Sequence, residues 1–491
     1  IGGAIHLNST QNFNKGLALR SGSFYGSFGD LQQNLDLCYS KKRFITSTKF
    51  FYHKAENNFP FYNITEEGHP LRTQKHAQLA QYGLMQENYF ILSSRQKLNT
   101  HFWFQDNNRN IPPTLTQTTN SSRQKDFSYR GTAEWQRTGD RAIWFLRSAL
   151  FNDNILYTDT TYRINEPSVS TSSISEAESR IALSKQHRLN LIVNNTWYKA
   201  YTASYNMTRE QERIAVFAAY HFNTANERLY ISANARQEFM VNTAIPLTWS
   251  LSAEARALKW LLFTANANRV FRLPTLNDQF WNPGGNPDLR PEEGYSEDAG
   301  LKISIPRKNV LFTSSLNLFN RNITNWIVWV PGINGIYSPQ NMLSVWSRGM
   351  ETKWELAYIK NKLNIKFNLN TSYVVSTNER KSSPGDVTFQ KQLIYTPQYS
   401  GSANLSVKYA SLFVNYNHTY TGYRYTLADN TEFLEPFQTL NLRFGYTCTI
   451  RKVSFSLIAK VNNLLNARYQ VIQNYAMPLR NYQAGIIINY N

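Results

Sequence analysis

Apolar and polar residues alternate in segment after segment of this chain, and that period of two constrains the fold more than any other feature of its 491 residues. Successive side chains of a strand point to opposite faces, so an alternating segment makes one greasy face and one wet face. Leu440, Leu442, Phe444, Tyr446, Cys448 and Ile450 alternate with polar or small residues, and a tight Arg451-Lys452 connection follows. Val453, Phe455, Leu457, Ala459 and Val461 keep the apolar phase on the way back. The run from Ala403 to Tyr409 turns at Ala410-Ser411 into Leu412 to Tyr420, and Ala299 to Ile305 passes through Pro306 to Asn309 into Val310 to Leu318. Similar pairs flank Lys41-Lys42, Thr138 to Asp140, Asn223 to Asn226 and Lys360-Asn361. No stretch of eighteen apolar residues occurs, which excludes helical membrane spans; any crossing has to be made by strands of about 9 to 11 residues.

Those connections are short. The segments around 53–76, 105–128, 151–187, 271–297, 319–347, 374–397 and 421–437 are instead polar and rich in Asn, Thr, Pro and Gly, and are expected as long loops. A barrel trimmed at one end and looped at the other has this pattern, with short periplasmic turns and long extracellular loops. The placement of charge sharpens the expectation, because Lys or Arg facing lipid at the bilayer midplane costs about 2 to 4 kcal/mol. Lys49, Arg147, Lys302, Lys353, Lys408, Arg443 and Lys460 each fall on the phase opposite to their strand's apolar set. Aromatic residues make up 14% of the chain, and Tyr39, Tyr358, Tyr409 and Tyr446 stand beside short turns, where membrane-interface belts belong. The expected fold is all-β, a transmembrane antiparallel β-barrel.

Lys and Arg number 52 against 33 Asp and Glu, for a net charge of +19. The basic residues are dispersed, so no nucleic-acid partner is expected; basic rims meeting outer-membrane lipid and lipopolysaccharide, or a basic lumen drawing in an anionic cargo, account for the surplus. Cys38 and Cys448 sit where small apolar side chains would serve. An oxidising compartment would permit a disulfide between them, although two thiols make no framework. The eight histidines lack zinc-ligand spacing, and no Ser-His-Asp arrangement can be assigned. Neither a metal nor a cofactor nor an enzyme activity is expected.

Three stretches point further. The opening Ile1-Gly2-Gly3-Ala4-Ile5-His6-Leu7-Asn8 resembles the closing strand of the plug domain in TonB-dependent receptors. Phe271-Arg272-Leu273-Pro274, then Asn286-Pro287-Asp288-Leu289-Arg290-Pro291-Glu292 and Glu297, is similar to that family's FRxP and NPxLxPE boxes with a downstream Glu. Val461-Asn462-Asn463-Leu464-Leu465-Asn466 with Tyr469, followed by Pro478-Leu479-Arg480, is similar to its C-terminal motif. The last strand, Tyr482, Ala484, Ile486, Ile488 and Tyr490 with Gly485, looks like the β-signal that outer-membrane barrels use for insertion. The resemblance implies a 22-stranded barrel over 10–491, with the end of the plug at 1–9 and the remainder of the plug, including the segment that contacts TonB, absent from these residues. It also implies location in the cell outer membrane of a Gram-negative bacterium and coupling to the TonB system, with a substrate-capturing surface lipoprotein as a further expected partner.

For the cargo, residues 58–63, 109–113 and 283–289 resemble the Bacteroidota cobalamin and corrinoid receptor group. Ferric siderophore and haem receptors are the alternatives, and the resemblance implies a haem-ligating histidine between the two boxes that is missing between Phe271 and Leu289. A passive porin or an adhesin-like barrel is the alternative of another class, which plug sequence upstream of Ile1 would remove. Trp281, Asn282, Asn286, Trp326 and Trp329 are the candidate substrate-binding residues, because exposed indoles beside Asn and Gly can stack on a flat amphipathic ligand. The same rings could equally pack loop against loop or join the outer aromatic belt.

Overall fold

The computed structural model describes residue 9, residues 11–331 and residues 336–490. Of the expected plug end over 1–9, residues 1–8 lie outside the described residues. Among the described residues, twenty-two antiparallel strands form one sheet. The first of them, Gly16–Gly26, pairs both with Asp30–Lys41 and with the last, Asn481–Tyr490, so the sheet closes on itself and leaves no edge. Closure is what allows a sheet to cross hydrocarbon, since every backbone N–H and C=O in the bilayer needs a partner. Asp30 latches the seam: its carboxylate accepts from Gln483 Nε2 at 2.8 Å, lies 2.8 Å from His53 Nε2, and Gln483 Oε1 accepts from Lys460 at 2.7 Å.

The observed registers place the two phases as the alternation predicts. Phe444, Tyr446 and Leu457 are exposed on the outer surface, and Leu442 pairs with Val461 on the same side. The polar phase meets across the lumen wall in ion pairs: Lys49 with Glu87, and Arg147 with Glu134, Glu176 and Glu178 at 2.7, 2.7 and 2.6 Å. The guanidinium groups of Arg147 and Arg180 both stand 4.5 Å from the Phe145 ring centre. An apolar cluster of Phe24, Ile458 and Ile487, with Phe413 against it, also lies on the lumen phase, where the rings of Phe24 and Phe413 cover Gly485 and Gly445. On the outer phase, Thr46, Thr48, Gln86 and Asn88 break the apolar pattern but bond to one another at 2.6–2.9 Å. That mutual pairing removes much of the cost of polar groups facing lipid. Cys38 and Cys448 are free, the first on the lumen phase and the second on the outer phase, so the wall itself prevents a disulfide between them.

Loop lengths depart from expectation. The segment expected as a long loop over 151–187 is mostly strand: Ala142–Asp159 and Ile164–Ala182 pair along their length and turn within 160–163. Likewise Val310–Pro331 and Tyr337–Lys360 extend the wall through most of 319–347, and Gln96–Asn110 and Ser122–Thr138 reduce the 105–128 loop to 111–121. Above the membrane both faces of a strand meet water, so the ladder continues on backbone hydrogen bonds while the alternation vanishes. The looped end also has one very short connection, the turn Ser27–Gly29.

Candidate ligand-binding mouth at the looped end

The long connections gather at one end of the barrel, where three constellations define the mouth. The first is the segment between the strands Leu261–Arg272 and Glu292–Arg307. Its short helix, Leu276–Phe280, starts with a capping box in which Thr275 Oγ1 accepts from Asp278 N at 3.1 Å and Asp278 accepts from Thr275 N at 2.9 Å. Asp278 also accepts from Trp329 Nε1 at 2.9 Å, which ties the helix to the neighbouring hairpin. Glu292, only 1% exposed, accepts from Arg272 Nε at 2.7 Å and from Ile327 N at 2.9 Å. The two sequence boxes therefore meet as adjacent rungs of the sheet, and the ion pair braces the root of the loop.

The candidate substrate residues occupy this region with divided roles. Asn282 clasps the connection at 203–208, donating from its backbone to Ser204 O at 2.7 Å and from its side chain to Asn206 at 3.0 Å. Asn286 donates to Pro339 O at 3.1 Å and accepts from Asp288 N at 3.0 Å. Trp329 is held by Asp278, while Trp326 lies at an irregularity of register opposite Leu343. Trp281 follows the helix and is 38% exposed, which leaves its indole the most accessible of the three. Gly284, at φ +117°, lies against the Tyr337 carbonyl so closely that a Cβ would overlap it.

The C-terminal motif builds the second constellation. Asn463 and Asn466 take left-handed conformations, and the Asn463 side chain accepts from Ala467 N at 2.8 Å and donates to Ala467 O at 2.9 Å. Asn462 bonds Asn481 across the hairpin at 2.8 Å, and Leu464 N donates to Leu440 O at 2.7 Å. This turn delivers Arg468 and Tyr469 into an aromatic-lined pocket of about 300 Å³. Phe61, Tyr62, Leu115, Phe433, Phe437 and Met477 complete it, drawn from connections that begin near 56, 111, 422 and 463. The Arg468 guanidinium lies 3.4 Å from the Tyr62 ring centre, and Tyr469 stacks on Phe437 with centroids 4.5 Å apart. Arg424, 4% exposed, donates to Gln470 O and Val471 O at 2.8 and 2.9 Å and holds this loop in place. Burial raises the Tyr469 phenol above its ordinary value. Tyr62 falls in the 58–63 stretch that the resemblance singles out, but no sequence signal marked Leu115 or Phe433, because what unites these residues is contact between loops remote in sequence.

The third constellation is a recess of about 480 Å³ in the upper wall, whose polar lining of Gln105, Asn107, Arg109, Gln124, Asp126, Ser128, Arg130, Asp153 and Asn154 is joined by the apolar Phe127 and Ile155. Arg130 pairs with Asp153 at 3.0 Å, and Arg109 stands 3.4 Å from Asp126. It offers donors and acceptors in near balance, so it suits a ligand bearing amide or mixed polar groups. Among the described residues no group of three or more His, Cys, Asp or Glu side chains comes together as a metal site.

Residues 73–464 match a family profile described as TonB dependent receptor-like, beta-barrel. In sequence, the chain is 25% identical over 241 residues to the vitamin B12 transporter BtuB of Photobacterium profundum, covering 48% of this chain and 37% of that protein. It is 26% identical over 251 residues to a vitamin B12 transporter BtuB of Vibrio vulnificus, covering 50% and 36%. The aligned part is thus little more than a third of these relatives' length. Among solved structures, the FrpB iron transporter of Neisseria meningitidis (F3-3 variant) superposes with a TM-score of 0.76 at 11% identity, covering 97% of this chain and 82% of that one. The siderophore receptor PiuA of Acinetobacter baumannii gives 0.75 at 13%, covering 98% and 82%. At such identities the structural likeness speaks for the fold.

Proposed function

The chain belongs to the TonB-dependent receptor family, and from that premise we propose that it forms the wall and outer mouth of an energised uptake receptor whose cargo is cobalamin or another corrinoid. The family is one of transport receptors in the Gram-negative outer membrane, not of enzymes. The observation that carries the cargo reading is the presence at the mouth of two surfaces of different chemistry. An aromatic pocket with Arg468 over Tyr62 can take a flat apolar face, and a recess of amide and charged side chains can take a polar periphery. A corrinoid presents both, a broad ring edged by amides, and the curated relatives are named as vitamin B12 transporters. Driving force comes, in this reading, from TonB acting on a plug inside the lumen, with the ion-paired lumen wall as its seat.

Calorimetric titration of the full-length receptor with cyanocobalamin and with haemin tests the proposal. Saturable binding of cyanocobalamin and none of haemin is expected; the reverse would transfer the site to a haem cargo. Uptake that persists in cells lacking TonB would replace energised transport by passive passage.

A further inference from the structure

A second concave site lies on the opposite side of the wall, facing away from the lumen. Its volume is about 390 Å³, and its lining comes mainly from one phase of four neighbouring strands, with Ser372, Ser400 and Ser402 contributing from the other phase. Gly401 and Ala403 form the floor, where the missing side-chain bulk lets the surface sink, and Met350, Leu369, Tyr399 and Tyr420 form the mainly apolar sides, with Thr371 and His418 as polar members on the same phase. This phase is the outer one, because it continues through Leu405, Val407 and Tyr409 on one strand and Ile365 and Phe367 on the next. The lining is accordingly exposed without being wet: Tyr399 is 58% exposed on a face that meets hydrocarbon.

Height along the wall narrows the occupant. From the turn after Lys360 up to Met350 the tilted strand climbs roughly 25 Å, so the groove occupies the outer half of a hydrocarbon band about 25 Å tall. Tyr373 and Tyr399, with centroids 4.8 Å apart, stand at its upper end, as interface aromatics do. One step above, on the same phase, is Arg348, whose guanidinium carbon lies 3.6 Å from the Trp346 ring centre and whose Nη1 donates to Thr377 at 3.0 Å. A cation fixed at the level of the outer headgroups, beyond Met350 at one side of a mainly apolar groove, matches an acyl chain capped by a phosphate. In a Gram-negative outer membrane the outer-leaflet lipid of that form is lipopolysaccharide.

We propose that the groove floored by Gly401 and Ala403 binds one acyl chain of an outer-leaflet lipopolysaccharide, with Arg348 holding its phosphate. The site is independent of the cargo site, since it opens on the other face of the wall.

The test is native mass spectrometry of the full-length receptor extracted from outer membranes in mild detergent, with lipopolysaccharide and phosphatidylethanolamine as the two added probes. About one lipopolysaccharide should stay bound per barrel, and both R348Q and A403L should lower its retention at least about 5-fold, while A484L, on the outer phase of the last strand, should not. R348Q alone decides the matter if A403L fails to assemble. Equal retention by wild type and R348Q, equal loss in A484L, or preferential retention of phosphatidylethanolamine would overturn the proposal.

Discussion

Arg272 and Glu292 occupy paired positions on adjacent strands, and the carboxylate that receives the guanidinium is also the acceptor for the backbone N–H of Ile327. One buried side chain thus joins three strands at the root of the loop over 273–291. Removing it leaves an arginine facing an empty acceptor site and a backbone donor without its partner.

E292A should therefore loosen this loop, with a cost of about 1 to 3 kcal/mol once the partial exposure of Arg272 is allowed for. E292Q keeps an acceptor for Ile327 and should lose less. Hydrogen exchange over 273–291 reads both; equal exchange in E292A and wild type would show that the brace carries no stability.

The phase of the wall predicts an asymmetry between neighbours. Leu457 points outward and is 58% exposed on the lipid face, whereas Ser456 points into the lumen and bonds Thr447 at 2.8 Å. L457R should cost about 2 to 4 kcal/mol and depress assembly, and S456R should be tolerated better because its head reaches an aqueous lumen. Heat-modifiable migration on gels measures the folded fraction, and identical losses would contradict the outward assignment of Leu457.

Two glycines beneath lumen rings should respond differently to the same change. The nearest obstacle to a Cβ at Gly445 is the Phe413 ring, which can swing away, whereas one at Gly485 would overlap Phe24 and also come within 2.5 Å of the Ser23 carbonyl. That carbonyl belongs to the closing seam and cannot retreat without parting the ladder. G485A should cost about 1 to 3 kcal/mol and slow closure, and G445A should cost less. Refolding rates into detergent micelles separate the two.

Asp386 organises the loop at 379–398, accepting from Ser382 N and Oγ at 2.8 Å and from Thr388 N and Oγ1 at 2.8 and 2.6 Å. The Thr388 hydroxyl first, and then the other donors, hold its pKa well below the usual carboxylate range. Because the folded value is the lower one, the contribution to loop order is complete above the unfolded pKa and fades as pH falls through the depressed value. Protection of 379–398 should then survive acidification through about pH 4, where ordinary aspartates titrate, and be lost only below it. D386N should abolish that dependence; a loop that melts near pH 4 in the wild type would count against this account.

Under the corrinoid reading, R468A removes the cation over Tyr62 and Y469A removes the stack on Phe437. Each should weaken cyanocobalamin binding by about 3- to 30-fold, the range of a cation–π or aromatic contact. Unchanged titrations for both would place the cargo elsewhere in the mouth.

The alternation of residues such as Leu440 to Ile450 determined the wall, its two faces and the inward placement of Lys49, Arg147 and Lys460, because hydrocarbon on one side admits no other assignment. The FRxP and NPxLxPE boxes were likewise legible as motifs, though not as an ion pair. Tertiary structure alone decided how far Ala142–Asp159 and Ile164–Ala182 rise above the membrane, since backbone ladders there need no side-chain pattern. It also decided which loops meet, bringing Tyr62 to Arg468 and Leu115 N to Asn474 O at 2.8 Å, and it committed Asn282, Asn286 and Trp329 to bracing bonds. Contacts between loops remote in sequence leave no local period to read, and only closure of the cylinder puts them side by side.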